Sequence, residues 1–325
     1  MRIGVVFPTQ PTDMVDIKQF GRWVEERPGT RLWAGQSTVI DSQMAGAFLA
    51  GAGIRAPMGI SVALTPLTHP FQAAIQARSL ALQSGSDVWA GFGTGGQEFA
   101  EALLGERYPR PAEFVGEYLD VVKLALSGQP FQHRGSAFTV TGQLPAITSG
   151  EVKVGAGVLR PYMARLAGGH ADFIVTWLCP PAYVRDSLMP AMRAGARAVN
   201  RQPPEVISVM QFALDRHGHD PVDLVLGSSS GHLQSEHYRS MLTRAGVMTS
   251  PDQSAADLAG AVVAAGVMKS GTVDAICEEI RSFAEAGVNE VVLNPSGIYS
   301  RNGAAAALRD LDLVYRTYTG TSGHH

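Results

Sequence analysis

The fold is decided by the stretch from Gly59 to Gly96, which reads GISVALTPLTHPFQAAIQARSLALQSGSDVWAGFGTGG. It contains two short apolar runs, Gly59–Leu64 and Val88–Phe92, and both are bounded by Gly, Pro or Ser as buried strands are. A helix from His69-Pro70 to about Gln83 separates the runs, with proline at its entrance, where a missing N–H costs little. The stretch therefore predicts a βαβ unit, whose ligands are expected beyond the carboxyl ends of its strands.

The rest of the chain continues this alternation of strand and helix. Eight strands are predicted, at Arg2–Phe7, Arg31–Ala34, Gly59–Leu64, Val88–Phe92, Val152–Gly157, Phe173–Trp177, Val206–Leu214 and Glu290–Asn294. Further helices are predicted from Asp13 to about Arg27, from about Ser42 to Ala52, over most of Glu98–Ser127 around an interruption at Tyr108, and at Pro161–Gly169, Pro181–Asn200, Val273–Ala286 and Ala304–Thr317. The pattern favours a (β/α)8 TIM barrel. The rival is a doubly wound open sheet, which the missing GxGxxG after the first strand disfavours.

Two segments exceed what a barrel repeat needs. Residues 128–150 form a polar segment containing Gly and Pro, which predicts a hairpin over one end of the barrel. Residues 220–268 are long enough for an extra helix or a lid. The ending TSGHH at 321–325 is typical of a cloning tag, so a single barrel domain is expected over residues 1–320.

Composition excludes several classes of function. A formal net charge of −3 and a pI of about 6.3 leave no basic patch of the kind that nucleic acid requires. No apolar run approaches the ~20 residues that span a bilayer, so no membrane partner is expected. Cys179 and Cys277 are the two cysteines, which excludes a disulfide framework and a cysteine-based zinc site and is typical of the cytoplasm.

Several motifs in fixed order carry a family resemblance. They include WAGQ at 33–36, V-x-x-T-P-L-T-H-P ending at Pro70, GFGTG at 91–95, RPYMARLAG at 160–168 and YRSMLTRAGV at 238–247. From Met1 to about Pro295 the chain resembles the luciferase-like (bacterial luciferase) monooxygenase superfamily, and within it the branch of oxidoreductases that use the deazaflavin coenzyme F420. The resemblance implies a homodimer and a bound cofactor, F420 or alternatively FMN, and no metal site.

The resemblance also implies where the cofactor binds. A cis peptide is expected at Ser61–Val62, behind the central ring. The full set of implied cofactor-binding residues is Ser61, Val62, Ala63, Gly91, Gly93, Thr94, Gly95, Val158, Leu159, Arg160 and Trp177. Glycines in the 91–96 loop let backbone N–H groups approach a phosphate, and Arg160 at a helix start either pairs with that phosphate or is merely solvated.

Catalytic groups are where the chain departs from its relatives. Sugar-phosphate dehydrogenase relatives have Asp-His after the second strand and Glu after the Gly-rich turn, whereas this chain has Gly35-Gln36 and Gly96. The nearest branch typically has Ser-His at that turn, and here the residues are Gly95-Gly96. Alcohol oxidation with a histidine base is therefore disfavoured.

Other side chains remain as candidates. Gln36 is the residue that the nearest branch also has at this position, and the resemblance implies that it orients a substrate carbonyl or the deazaflavin edge. The candidates for donating a proton are Glu98, Glu113, Tyr118, Trp177 and Tyr238, and we assign catalytic roles to Gln36, Glu98 and Tyr238. His69 is expected to cap or pack at its helix entrance, and Cys179 to be an inert thiol.

Three functions follow as hypotheses. The first is an F420-dependent reductase that transfers a hydride to a C=C, C=N or C=O bond of a small or peptide-borne substrate. The second is an FMN-dependent luciferase-like monooxygenase. The third is a non-catalytic flavin-binding protein, which the loss of acid residues at Gln36 and Gly96 keeps open.

Overall fold

Eight parallel strands close into a barrel in the computed structural model of the chain, which describes residues 1–8, 14–36, 39–247, 250 and 253–320. In chain order the strands are β1 (Arg2–Val6), β2 (Leu32–Ala34), β3 (Met58–Leu64), β4 (Val88–Gly93), β5 (Phe131–Arg134), β6 (Thr139–Gly142), β7 (Val152–Gly157), β8 (Phe173–Trp177), β9 (Glu205–Leu214), β10 (Met268–Gly271) and β11 (Glu290–Asn294). The barrel order is β1-β2-β3-β4-β7-β8-β9-β11, and β11 pairs with β1 to close it. The predicted (β/α)8 barrel is confirmed.

Helices follow the barrel strands, and most of their predicted bounds are right to within a few residues. They are α1 (Met14–Glu25), α2 (Ser42–Gly51), α3 (Pro70–Ser84), α4 (Gln97–Leu104), α5 (Pro111–Leu126), α6 (Pro161–His170), α7 (Pro181–Tyr183), α8 (Met189–Ala198), α9 (Pro221–Gln234), α10 (Glu236–Arg244), α11 (Ala255–Ala264), α12 (Val273–Glu285) and α13 (Ser296–Thr319). No helix in these described ranges is long and apolar enough to cross a membrane. The predicted helix start at Asp13 and the tag-like ending at 321–325 lie outside the described residues.

The structure corrects the sequence-based assignment at three places. Strand β10 was not predicted, because it has only four residues, MKSG, and half of them are polar. It pairs with the last residues of β9 from Gln211 onward, and the pairing of β9 with β11 ends at Gln211. The predicted helix at 181–200 is divided by a π-helical turn at Val184–Leu188, next to Pro190, which has no N–H to donate. The last helix begins at Ser296 and is kinked at Gly303, so the prediction of Ala304–Thr317 missed its first turns.

Both long segments contain the predicted elements, a hairpin and extra helices, although the hairpin packs against outer helices and is not shown to cover an end of the barrel. Residues 220–268 hold three helices, α9 to α11, followed by β10. The hairpin β5–β6 packs against α3 and α5, where Phe138 meets the rings of His69, Phe114 and Tyr118. The Glu117 carboxylate accepts hydrogen bonds from the hairpin turn at residues 136–138; burial raises its pKa, but these bonds outweigh burial and lower the pKa to about 2.

Large aromatic side chains fill the amino-terminal half of the barrel interior. The rings of Trp33, Trp89 and Phe173 lie 5.0–6.4 Å apart. They fit because the neighbouring strands carry glycine at the paired positions: a Cβ atom at Gly59 would lie 2.3 Å from the Trp33 ring, and one at Gly155 would lie 2.4 Å from Phe173. This half of the barrel is therefore a packed core with no room for a ligand.

A buried carboxylate closes the same end. Glu290, at the start of β11, is 1 % exposed and accepts a hydrogen bond of 2.7 Å from the indole N–H of Trp33. Arg31 pairs with Glu290 and stacks on Trp89, with 4.0 Å between the guanidinium carbon and the ring centre. Arg2 adds a longer contact of 3.4 Å from its Nε atom. All these groups lie at the beginnings of strands, so they seal the barrel opposite its carboxyl-terminal end.

Removing the charge of Glu290 is expected to destabilise the barrel strongly. Glu290→Gln leaves the Arg31 guanidinium buried without its counter-charge, so the free energy of unfolding should fall by about 3–5 kcal/mol. Glu285→Gln, at an exposed position at the end of α12, is the matched control and should change it by less than about 0.5 kcal/mol. Urea unfolding followed by circular dichroism measures both. Equal, small effects of the two substitutions would contradict the assigned role of Glu290.

Candidate active site

A cavity of about 680 Å³ lies at the carboxyl-terminal end of the barrel. Its walls come from residues at or just after the ends of β1, β2, β3, β4, β7, β8 and β11, and from helices α9 and α10. This is the end at which barrel enzymes hold their ligands. Among the described residues that line it, none is Asp, Glu or Lys.

Val62 forms a wall of this cavity. The Ser61–Val62 peptide is cis, as predicted, and the pairing of β3 with β4 is irregular between Ile60 and Ala63. Three glycines make room for the Val62 side chain: Cβ atoms at Gly91, Gly93 and Gly157 would lie 3.4, 3.0 and 3.1 Å from its methyl carbons. The side chain is thus seated against the backbones of β4 and β7, with Trp177 packed on the same interior cluster.

Two polar atoms beside Val62 have no partner within the described protein. The hydroxyl oxygen of Ser61 and the indole nitrogen of Trp177 are buried without a hydrogen bond, although both residues line the cavity. A buried polar group without a partner costs free energy. Their position is therefore suited to a ligand that brings complementary polar atoms to this wall.

The rim of the cavity carries an arginine and a glycine-rich loop. Gly93, Thr94, Gly95 and Gly96 line the cavity between β4 and α4, and Gly95 has a positive φ of 69° that glycine tolerates best. Arg160 is exposed and immediately precedes α6, which begins at Pro161. Backbone N–H groups at helix starts together with a guanidinium favour an anionic ligand here.

Helices α9 and α10 contribute an aromatic wall of His232, His237 and Tyr238. The His232 ring stacks on Trp177, with ring centres 5.4 Å apart and 25° between the planes, and it meets Tyr238 edge-on at 5.1 Å. The His237 ring lies 4.6 Å from that of Tyr238. Tyr238 was a sequence-based candidate because it begins the YRSMLTRAGV motif, whereas both histidines were missed because they lie outside every motif that carries the resemblance.

The environment keeps these groups uncharged at neutral pH. Burial lowers the pKa of His232, and the neighbouring His237 lowers it further. Burial also lowers the pKa of His237, as does the positive charge of Arg160, while Glu236 acts in the opposite direction. Burial raises the pKa of the Tyr238 hydroxyl. Each imidazole therefore offers one donor and one acceptor nitrogen to a ligand at pH 7.

The remaining sequence-based candidates divide by position. Gln36, Val158 and Leu159 line the cavity, whereas Ala63 and Gly91 do not: Gly91 lies against the Val62 side chain, and Ala63 packs against the larger hydrophobic core. Glu98 is exposed in the first turn of α4 and is not part of the lining.

Two other proton-donor candidates make hydrogen bonds away from the cavity. The Glu113 carboxylate accepts a hydrogen bond of 2.6 Å from Tyr162, and the Tyr118 hydroxyl donates one of 2.8 Å to the carbonyl of Thr68. Neither Glu113 nor Tyr118 lines the cavity.

His69 and Cys179 have the non-catalytic roles that the sequence predicted. His69 caps α3, since its Nδ1 atom accepts a hydrogen bond of 3.2 Å from the backbone of Phe71. Cys179 is buried, and burial raises the pKa of its thiol to about 12, so the thiol stays protonated. No cluster of potential metal ligands occurs within the part of the chain that the structure describes.

A closed parallel barrel with its cavity at the carboxyl-terminal end defines a (β/α)8 protein with an enzyme-like site. The profile of the luciferase-like monooxygenases matches residues 1–290, and the chain belongs to this family. No curated protein matches the sequence at a significant level.

Solved structures of similar fold have diverse activities. One is an F420-dependent secondary alcohol dehydrogenase in complex with an F420-acetone adduct, 17 % identical over 96 % of this chain and 98 % of that chain, with a TM-score of 0.76. Another is a coenzyme F420-dependent tetrahydromethanopterin reductase from Methanopyrus kandleri, 16 % identical over 97 % and 99 %, with a TM-score of 0.71. A third is a type II Baeyer-Villiger monooxygenase component from Pseudomonas putida in complex with FMN, 14 % identical over 100 % and 99 %, with a TM-score of 0.71. At these identities the comparison shows a shared fold.

Removing the charge of Arg160 is expected to raise the pKa of His237, because a nearby positive charge disfavours the imidazolium. Arg160→Ala tests this through the imidazole carbon-bound proton resonances of the ligand-free protein, followed by NMR from about pH 5 to 8. Arg309→Ala, at an exposed position on α13, is the control and should leave the His237 titration where it is. If the pKa of His237 is the same in the wild type, Arg160→Ala and Arg309→Ala, the charge of Arg160 does not act on His237 and the prediction is wrong.

Proposed function

We propose that this protein is a reductase that uses the deazaflavin F420 to transfer a hydride to a C=C, C=N or C=O bond of a small or peptide-borne substrate. The observation that carries the proposal is a cavity with a valine-backed wall, partnerless buried polar atoms beside it, and a rim that carries Arg160 and a glycine-rich loop. Membership of the luciferase-like family supports an oxidoreductase. The choice of F420 is supported by the sequence run that ends at His69-Pro70, which resembles the deazaflavin branch.

The residues present fit such a cofactor. A deazaflavin ring carries carbonyl and N–H groups along one edge, and Ser61 and Trp177 offer a hydroxyl and an indole N–H that have no described protein partner. Val62 would support one face of the ring. The Gly93–Gly96 loop and Arg160 would hold the phosphate of the tail at the exposed rim.

When bound in its reduced form, F420 would supply a hydride, and carbon at the position of the flavin N5 makes it react poorly with oxygen. The protein's part is to orient the substrate, exclude water and hold a proton. Gln36 lines the cavity, and its proposed role is to hydrogen-bond a substrate carbonyl. No described carboxylate lines the cavity, and we assign the proton to its ionisable aromatic wall of His232, His237 and Tyr238.

An FMN-dependent monooxygenase is the second candidate function. The observation that favours it is the full-length structural similarity to the Baeyer-Villiger component whose structure contains FMN. Both cofactors carry a tricyclic ring and a phosphate, so the walls described above suit either of them.

Titration of the purified, ligand-free protein with F420 and with FMN separates the two functions. We expect F420 to bind at least about tenfold more tightly, a difference of about 1.4 kcal/mol. Changes in cofactor absorbance or in tryptophan emission report binding, since Trp177 lies in the cavity wall. If FMN binds more tightly by the same factor, the proposed reductase is wrong and the FMN-dependent monooxygenase becomes the proposed function.

Arg160→Ala is expected to raise the dissociation constant for F420 by about tenfold or more, because a charged hydrogen bond to phosphate contributes roughly 1.5–3 kcal/mol. The melting temperature of the ligand-free protein should change little, since Arg160 is exposed. Arg309→Ala serves again as the control for loss of one positive charge. If Arg160→Ala binds F420 as tightly as the wild type does, Arg160 does not bind the phosphate, and the Gly93–Gly96 loop is the remaining candidate.

A further inference from the structure

His237 lies where the Gly-rich turn itself has no side chain. It is the second residue of α10, and its imidazole covers Gly96: a Cβ atom at Gly96 would lie 3.6 Å from its Cε1 atom and 3.9 Å from Nδ1. The same cavity is lined by Arg160 from the start of α6. An imidazole from the inserted segment thus reaches the rim at which an anion is expected.

Four elements face His237, and three of them contribute charged or titratable groups. Arg160 faces it from α6, and its positive charge opposes protonation of the imidazole. His232 faces it from the end of α9 and is itself neutral at pH 7. On α10, Glu236 favours protonation, and Tyr238 is uncharged. The fourth element, α4, contributes the uncharged turn at Gly96.

We propose that His237 takes up a proton when an anionic ligand binds beside Arg160, so that occupation of the rim by a cofactor phosphate also places a proton on the cavity wall. The anion offsets the charge of Arg160 and attracts the imidazolium directly. Both effects favour the protonated ring. No hydrogen bond to another described residue competes for its nitrogens.

The sign of the linkage fixes the pH dependence. The pKa of His237 is lowered in the ligand-free protein by burial and by Arg160. The proposal requires that it be higher in the complex. Binding therefore takes up protons between these two pKa values. It is tightest below the lower one and weakens as the pH rises through the interval.

A proton at this position would complete the reductase reaction, and this consequence rests on the proposed function, whereas the proton uptake does not. Hydride addition to one atom of a double bond leaves the π electron pair on the other atom. That atom would take the proton from the His237 imidazolium, and the ring would return to its neutral form. The next reduced cofactor to bind would load the next proton.

Isothermal titration calorimetry of F420 binding at about pH 6, in two buffers of different ionisation enthalpy, measures the protons taken up. FMN is titrated in the same way, so that a wrong choice of cofactor does not decide the outcome. We expect net uptake in the wild type and in His217→Gln, a control at an exposed position outside the cavity, and a clear loss in His237→Gln. The dissociation constant should rise with pH in the wild type, with a flatter dependence in His237→Gln.

Equal proton uptake by the wild type and His237→Gln would overturn the proposal. If His237→Gln does not fold, NMR titration of the His237 imidazole in the wild type takes its place, with and without F420, FMN or inorganic phosphate. An increase in its pKa with any of these anions supports the proposal. No increase with any of the three overturns it, whichever cofactor the protein uses.

Discussion

The buried carboxylate of Glu290 is the constraint on which the rest of the barrel depends. It lies in a low-dielectric interior, where an unpaired charge is not tolerated, so the Trp33 indole and Arg31 have to stay beside it. Arg31 in turn stacks on Trp89, and the aromatic layer fills the barrel up to Val62 and Trp177. With the amino-terminal half occupied, the carboxyl-terminal half is left for a ligand. The absence of side chains at Gly91, Gly93 and Gly157 leaves room for the Val62 side chain against the strands, and this fixes its position at the cavity wall.

Local sequence patterns predicted the parts of the fold that depend on local chemistry. Proline at the first helical position placed α3 and α6, and the glycine-bounded apolar runs placed β3 and β4. The cap at His69 followed from its place before Pro70. Strand β10 was not predicted because it is only four residues long and is stabilised by its pairing with β9. Such a pairing gives no signal in the local sequence.

The site was predictable where its residues follow regular barrel elements or, as for Tyr238, belong to a motif of the family resemblance. Ser61, Gly93 and Arg160 follow regular barrel elements, and the structure brings them to one cavity. His232 and His237 lie in an insertion, and their approach to Trp177 and Gly96 depends on how α9 and α10 pack, which no local pattern specifies. The same reason explains why Glu98, plausible from its place after the Gly-rich loop, is exposed: the first turn of α4 presents it to solvent.

The family fold and the inserted helices therefore have separate roles. The barrel supplies a wall and a rim of a kind suited to a ring and a phosphate, and relatives of 14–17 % identity share that fold with different chemistries. Residues 221–244 add imidazoles and a tyrosine to the cavity, beside Trp177 and over the turn at Gly96. The substrate's identity is thus expected to depend on α9 and α10 more than on the strands.

A crystal structure of the protein grown with F420 tests the central claim most directly, namely that a cofactor ring lies against Val62 at the carboxyl-terminal end of the barrel. The account predicts the ring in contact with the Val62 side chain, its polar edge within hydrogen-bond distance of Ser61 or Trp177, and its phosphate between Arg160 and the Gly93–Gly96 loop. A cofactor bound elsewhere, or a cavity that stays empty at saturating F420, would contradict it.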